Sequence, residues 1–177
     1  PTYSAYDRFY LGWLTPEELN SPADKSLYPL SQSTVPVASK AKQAYLLSAT
    51  PHNLNGANPT PKEFYIMEYR KKTGWDRYLP GDGLLFWHID YDQTAWDENT
   101  PNNYTGSAQT VASHMRVYLQ PLNGYTTTPG EAFTSGSFAP LTWSGSNINR
   151  AITNIAKTND SISFKIMGGA SVVEPSV

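Results

Sequence analysis

The chain has 177 residues and no cysteine, and its 13 Lys and Arg residues against 15 Asp and Glu give a formal net charge of −2. The missing thiols exclude disulfide scaffolds, thiolate zinc sites and cysteine nucleophiles, and the lack of a basic excess argues against a nucleic-acid or anionic-membrane partner. Aromatic side chains make up 13% of the residues, beside 14 prolines and 12 glycines, which favours a β-rich, exported domain of bacterial type without a membrane span.

The first segment is predicted to be a helix over residues 4–13. Ser4 and Asp7 fit a capping box at its start, and apolar residues then recur with the spacing of one helix face. That stripe consists of Tyr6, Phe9, Tyr10 and Trp13. Residues 15–19 predict a second, very short helical start, because a threonine cap is followed by proline and two acids.

After residue 20 the apolar residues recur with the period of two that is typical of strands. Several short strands joined by Pro- and Gly-rich turns predict a mainly β chain: an antiparallel β-sandwich or jelly-roll-like domain preceded by one short N-terminal helix. The polar segment Asp92–Ala112 is predicted to be a functional or mobile loop. The strand at 84–91 has an unbroken apolar start and is predicted to be central. The five predicted strands are Gln43–Ala49, Glu63–Arg70, Leu84–Tyr91, Met115–Gln120 and Ser161–Met167.

His88 and Asp90 are the most informative polar pair, because at positions i and i+2 of a strand they share a face with apolar neighbours and need partners. One interpretation makes them metal ligands together with His114, the pattern of non-haem iron oxygenases. The alternative, which we favour, pairs Asp90 with Arg70 of the preceding strand and His88 with Glu68. These four strand residues then form a structural polar cluster without a catalytic role.

The segment that follows the central strand is rich in the oxygen ligands that calcium prefers. Its candidate ligands are Asp90, Asp92, Asp97 and Asn99. Bound calcium would order the long loop that comes next. The segment lacks the glycine of an EF-hand loop, and we favour the alternative of a solvated acidic turn.

Other catalytic patterns are missing from the sequence. The three histidines, at 52, 88 and 114, are too far apart for a His-Glu-x-x-His zinc helix. No Gly-x-Ser-x-Gly elbow supports a serine hydrolase. His52 lies in a polar turn, where we expect it to be solvated.

The five tryptophans suggest a carbohydrate-stacking surface as another function class, because sugar rings stack on exposed indoles. Trp13 and Trp87 are predicted to lie in the core, the first on the helix stripe and the second in the central strand. The remaining candidates for a surface that binds a ligand are Trp75 and Trp96, with Trp143 as a third.

Two parts of the chain resemble a known family. Residues 4–14, Ser-Ala-Tyr-Asp-Arg-Phe-Tyr-Leu-Gly-Trp-Leu, are similar to the helix that closes the catalytic domain of immune-inhibitor-A-type secreted zinc metallopeptidases. Residues 63–76 and 79–91 resemble that family's segment E-x-R-x-x-x-G-x-D followed by L-P-G-x-G-L-L-I-x-H-I-D. The later segments 114–120 and 161–164 fit its closing strands, so the resemblance covers most of residues 1–168.

The resemblance implies a secreted or cell-surface bacterial zinc endopeptidase whose zinc-binding helix lies N-terminal to Pro1. No catalytic residue is therefore assigned to this chain, which we expect to bind no zinc, to be inactive alone, and to be a processed chain or a piece of a longer protein. The implied partners are the upstream catalytic domain and a protein or peptide substrate. The implied organisation has residues 1–20 closing the catalytic domain, 21–168 forming a β-sandwich and 169–177 forming a linker or tail.

Overall fold

The computed structural model describes residues 1–32, 42–122 and 132–171, which form two β-sheets packed face to face. In chain order the elements are α1 (Ala5–Tyr10), β1 (Glu17–Glu18), β2 (Ala23–Leu27), β3 (Ala44–Leu47), β4 (Glu63–Arg70), a 3₁₀ turn (Gly74–Asp76), β5 (Gly83–Asp90), α2 (Gln93–Asp97), β6 (Val117–Leu119), β7 (Ser135–Phe138), β8 (Ile152–Lys157) and β9 (Ile162–Ile166).

The five-stranded front sheet has the order β1-β3-β4-β5-β6, and the four-stranded back sheet has the order β2-β9-β8-β7. Neighbouring strands are antiparallel, except that β1 runs parallel to β3. The prediction of a mainly β, antiparallel sandwich preceded by one short helix is therefore confirmed.

The main core lies between the two sheets. Tyr45, Met67 and Phe86 of the front sheet meet Phe164 and Ile166 of the back sheet, and all five side chains are buried. Each large apolar side chain buried in this way contributes about 1.5–3 kcal/mol. The inward-facing residues of the central strands β4 and β5 thus hold the two layers together.

Helix α1 covers the outer face of the front sheet. The Ser4 side chain accepts a hydrogen bond from the Asp7 N–H at 3.0 Å, and Asp7 accepts one from the Ser4 N–H at 2.9 Å, which forms the predicted capping box. Tyr6 and Phe9 of the predicted stripe are buried against the sheet. The helix ends at Tyr10, three residues before the predicted end.

The prediction that Trp13 lies in the core is wrong, and the backbone explains why. Gly12 has a φ of +72°, a left-handed conformation that turns the chain out of the helix. Trp13 is consequently 64% exposed and packs edge-on against the Tyr3 ring, with the ring centroids 5.5 Å apart.

The central hairpin matches the predicted strand bounds best. β4 coincides with the predicted strand 63–70, and β5 begins and ends one residue earlier than predicted. The expected helical start at 15–19 is wrong, because Glu17 and Glu18 instead pair with Tyr45 and Leu46 of β3. The pattern also missed β2, β7, β8 and the short helix α2 inside the polar loop.

In the three described ranges, none of the helices has both the length and the apolar character required to cross a bilayer. Of the predicted tail at 169–177, residues 172–177 lie outside the described part of the chain.

Candidate functional site

The predicted cluster of Glu68, Arg70, His88 and Asp90 does not form one group. The register of β4 and β5 pairs Arg70 with Gly83, so Arg70 and Asp90 lie at opposite ends of the hairpin. Even-numbered residues of β4 stand opposite odd-numbered residues of β5, so Glu68 and Arg70 lie on one face of the sheet and His88 and Asp90 on the other. The expected contacts of Asp90 with Arg70 and of His88 with Glu68 are therefore wrong.

Two carboxylate–imidazole pairs lie instead at one end of the front sheet. Glu63 Oε1 is 2.9 Å from His88 Nε2, and Asp90 Oδ2 is 2.8 Å from His114 Nε2. The imidazoles are only 3% and 5% exposed, whereas the two carboxylates retain contact with solvent. The Nε2 atom of each imidazole is thus bonded to a carboxylate at the edge of the site, which avoids the cost of an unpaired buried polar group.

Trp143 joins the two pairs by ring stacking. Its ring centroid lies 4.1 Å from that of His114 and 5.1 Å from that of His88, and both ring pairs are close to parallel. His88 stacks in turn on Tyr65 at 4.2 Å. We call the four rings of Tyr65, His88, Trp143 and His114 the ring stack. The Trp143 Nε1 atom is buried without a hydrogen-bond partner among the described residues, so contact between the rings holds the indole in place.

The ring stack attaches the connection between β7 and β8 to the front sheet. The Trp143 N–H donates to Glu63 Oε1 at 2.6 Å, and the Tyr65 hydroxyl donates to the Leu141 carbonyl at 2.6 Å. Leu141 also bridges to Asn147 across the same turn. The connection between β7 and β8 is therefore fixed to the front sheet by polar contacts at this end of the sandwich.

Burial and hydrogen bonding act in opposite directions on the pKa values here. Burial alone would raise the pKa of Glu63, but the hydrogen bonds from His88 and from the Trp143 N–H outweigh it and lower that pKa. Burial lowers the pKa of His88, and the contact with Glu63 offsets only part of the effect. At neutral pH the pair is an ionised carboxylate beside a neutral imidazole. The Tyr65 hydroxyl lies 3.1 Å from His88 Nδ1, and neither imidazole is hydrogen bonded to a Ser or Thr hydroxyl in the described ranges.

The described residues contain no group of three or more His, Cys, Asp or Glu side chains that could hold a metal ion. The iron interpretation required His88, Asp90 and His114 to converge, but the two histidines bind different carboxylates through Nε2. The zinc implied for the parent protein does not fit these side chains for the same reason, since a zinc centre needs three protein ligands around one point.

The predicted calcium ligands also have other partners. Arg116 Nη1 lies 3.0 Å from Asp90 Oδ2 and Nη2 lies 3.3 Å from Asp92 Oδ2, so a guanidinium stands between the two carboxylates. Asp92 caps α2, and the backbone N–H groups there lower its pKa. Asp97 accepts a hydrogen bond within the same helix, and Asn99 ends the turn with φ +55°. The geometry favours an acidic turn neutralised by arginine.

A second buried cluster lies at the other end of the hairpin, on the outer face. Arg70 Nε donates to Glu68 Oε1 at 2.8 Å and Arg70 Nη1 to Asp76 Oδ2 at 3.1 Å, and both carboxylates are fully buried. We call Glu68, Arg70 and Asp76 the ion triad. Glu68 also accepts the Ala5 N–H at 2.5 Å, and Asp76 accepts the Thr2 N–H at 2.8 Å. The ion triad therefore attaches the N-terminal segment and the 3₁₀ turn to the sheet.

The contacts within the ion triad shift the pKa values of Asp76 and Arg70. Burial alone would raise the pKa of Asp76, but the hydrogen bonds from Thr2 and the charge of Arg70 outweigh it and lower that pKa. Burial disfavours the charged form of Arg70, and the carboxylates of Glu68 and Asp76 more than compensate and raise its pKa. Both shifts favour the charged forms of Asp76 and Arg70.

The tryptophan predictions have mixed outcomes. Trp75 is 83% exposed, and so is Tyr78. Trp96 and Trp87 are both partly buried and pack against the outer apolar cluster, so the first is less exposed and the second less buried than predicted. Trp96 lies against Tyr91 with the ring centroids 4.8 Å apart, and the Trp87 indole N–H donates to Glu68 at 3.0 Å.

The expectation that His52 is solvated is also wrong. Its ring lies 4.6 Å from that of Phe64, between the turn and the front sheet, and it is buried. His52 Nδ1 accepts the Leu54 N–H at 2.9 Å, which leaves Nε2 buried without a hydrogen-bond partner among the described residues. Burial lowers the pKa of His52 to about 4.

Sequence reasoning missed Glu63 and Tyr65, although the alternation of β4 was a usable signal for them because both share one strand face. Trp143 was named only as a surface candidate and Asp76 only within the family resemblance. The contact of Trp143 with the front sheet carried no signal, since Trp143 lies 80 residues from Glu63 in the chain. Comparison with protein-family models, with curated proteins and with solved structures returned no match to this chain.

Proposed function

We propose that this chain is the part of a secreted bacterial zinc endopeptidase that follows the zinc-binding helix, and that it has no peptidase activity alone. The observation that carries the proposal is the spacing Glu68-x-Arg70-x-x-x-Gly74-x-Asp76. Its three charged residues form the ion triad, and Gly74 has a φ of +55°, which favours glycine. Because the residues that match the family's motif contact one another in the structure, their match is more specific evidence for the family than a similar composition would be.

The chemistry of the described residues is consistent with a non-catalytic role. Hydrolysis by zinc requires three protein ligands, a bound water and a carboxylate that takes its proton. The imidazoles of His88 and His114 are stacked on Trp143 and each is bonded to a single carboxylate. We therefore assign the reaction to a catalytic unit N-terminal to Pro1, with protein or peptide as the substrate and the cell exterior as the location.

The proposal is tested first on the coding sequence upstream of Pro1, which is expected to contain His-Glu-x-x-His. The longer protein and the chain of residues 1–177 are then purified from the same host and assayed with casein and added zinc. The longer protein should hydrolyse casein and lose activity on chelation or on Glu→Gln substitution within that motif, while the shorter chain stays inactive. An upstream sequence without the motif overturns the proposal, as does casein hydrolysis that co-purifies with the shorter chain through successive columns.

A further inference from the structure

The turn between β4 and β5 presents aromatic rings to solvent. Trp75 and Tyr78 are each 83% exposed, the highest values among the large hydrophobic side chains in the described ranges. The Arg77 guanidinium lies over the Tyr78 ring, 4.7 Å from its centroid. We call residues 71–78 the basic aromatic turn. Exposed aromatic rings of this size are costly in water and are typical of binding surfaces.

The buried contacts of Asp76 hold the basic aromatic turn in place. Asp76, between the two exposed rings in sequence, is fully buried and bound by Arg70 and by the Thr2 N–H. A buried ion group is no more stabilising than well-packed apolar residues of similar volume, so the contribution of the ion triad here is to fix the position of the turn. A turn whose backbone is positioned before binding loses less conformational freedom when a ligand arrives.

The charge that the turn exposes is positive. Lys72 and Arg77 are exposed, and neither side chain forms an ion pair within the described part of the chain. The acid of the turn, Asp76, is buried and already neutralised by Arg70. A ligand that meets Trp75 and Tyr78 therefore also meets two cations that lack a counter-charge.

A second exposed ring pair lies in the N-terminal segment, which is bonded to the turn. Tyr3 and Trp13 contact each other edge-on at 5.5 Å, and both are more than half exposed. Thr2, the residue before Tyr3, is bonded through its N–H and its hydroxyl to Asp76 of the turn. The two ring pairs therefore flank one buried carboxylate.

We propose that the basic aromatic turn binds an acidic polysaccharide, an activity separate from the proposed peptidase function. Trp75 and Tyr78 stack on the apolar faces of sugar rings, while Lys72 and Arg77 pair with the carboxylates that such a polymer carries. A bilayer fits less well, because residues 71–78 include no aliphatic side chain that could enter hydrocarbon. A protein partner fits less well because the centre of a protein interface is depleted of charged residues, whereas two cations that are unpaired within the described residues, Lys72 and Arg77, lie beside these rings.

Affinity electrophoresis of the chain in native gels containing polygalacturonate tests the proposal, with dextran as the uncharged polymer. We expect polygalacturonate to retard the chain, added salt to reduce the retardation, and dextran to have no effect. The variants Trp75→Ala and Tyr78→Ala, and the double variant Lys72→Gln/Arg77→Gln, should each weaken the affinity by about tenfold or more. Tyr104→Ala and Lys62→Gln are the matched controls, an exposed ring and an exposed cation elsewhere on the surface, and should bind normally.

Unchanged near-UV circular dichroism shows that each variant is folded, which is expected because the four substituted side chains are exposed. Equal retardation of Trp75→Ala and Tyr104→Ala would show that binding occurs elsewhere and overturns the proposal. Absence of retardation by polygalacturonate, by alginate and by hyaluronate overturns it as well. Sedimentation with vesicles of phosphatidylserine and phosphatidylcholine that depends on Trp75, without polysaccharide binding, would replace the polymer with a membrane surface.

Discussion

Replacement of Arg70 by leucine tests whether charge pairing holds the ion triad. The guanidinium is buried and lies 2.8 Å from Glu68 and 3.1 Å from Asp76, two carboxylates without exposed surface. Leucine fills much of the space but leaves both carboxylates buried without a cation. We expect the free energy of unfolding to fall by about 3–5 kcal/mol, the range for breaking a buried ion pair.

The assay is urea unfolding followed by tryptophan fluorescence and extrapolated linearly to water. Lys71→Leu is the matched control, because Lys71 is the next cation in the chain and its partner Asp160 is 88% exposed at 3.5 Å. A pair in solvent contributes about 0.2–1 kcal/mol, so this variant should lose little. The triple variant Glu68→Gln/Arg70→Leu/Asp76→Asn removes the stranded charges and should recover part of the loss.

The dependence on pH supplies an independent check. The pKa of Asp76 is lowered in the folded protein, so its contribution to stability is present above the unfolded pKa and is lost as the pH falls through the folded one. In Arg70→Leu the stranded carboxylates are neutralised by protons in acid, and the penalty should therefore shrink between neutral pH and about pH 4. A penalty below about 1 kcal/mol, equal to that of the Lys71 control, would refute the reasoning.

Three further predictions concern the histidines and their neighbours. The pKa of His52 is about 4 against an ordinary 6.5, so between these two pH values the unfolded state binds more protons than the folded state. The free energy of unfolding should therefore fall by about 3 kcal/mol as the pH drops from 6.5 to 4. Urea unfolding of His52→Asn should lack this dependence on pH. Trp143→Ala removes the ring between the two stacked imidazoles and should lower the free energy of unfolding, measured in urea, by about 2–3 kcal/mol. Trp75→Ala should change it by no more than about 0.5 kcal/mol. Equal losses in the two variants would contradict a stabilising role for the ring stack. Asp90→Asn should cost about 1–2 kcal/mol, and chelator should leave the Tm of the natural protein unchanged because Arg116 neutralises that carboxylate; a chelator-dependent drop abolished in the variant would establish a metal.

The sequence predicts the central strands because their burial is encoded locally. β4 and β5 are covered on both faces, one by the back sheet and one by α1, so their apolar runs stand out from the polar turns around them. β8 lacks this signal. Asn154 within it has a φ of +53°, and the register with β9 shifts between Thr153 and Ala156, so a bulge breaks the alternation by which a strand is detected.

The partners of the polar residues were not predictable in the same way. The pairing of β4 with β5 was expected, but the register depends on how the connection 71–82 folds, and a shift by one residue moves every side chain to the other face. The assumption that charges on consecutive strands face each other placed Arg70 beside Asp90, whereas the actual register separates them by the full length of the hairpin.

The carboxylate–imidazole pairs and the ion triad share a structural role that is visible only in the folded chain. Both use charged residues of the central hairpin to hold a segment that belongs to neither strand. Glu63 binds the backbone of Trp143 in the connection between β7 and β8, and Asp76, anchored on Arg70 of β4, binds the backbone of Thr2, 74 residues away. A carboxylate that accepts a backbone N–H fixes a chain position without requiring a particular side chain there. The two segments therefore place their rings differently: the Trp143 ring lies in the ring stack, whereas Tyr3, the residue after Thr2, is 60% exposed.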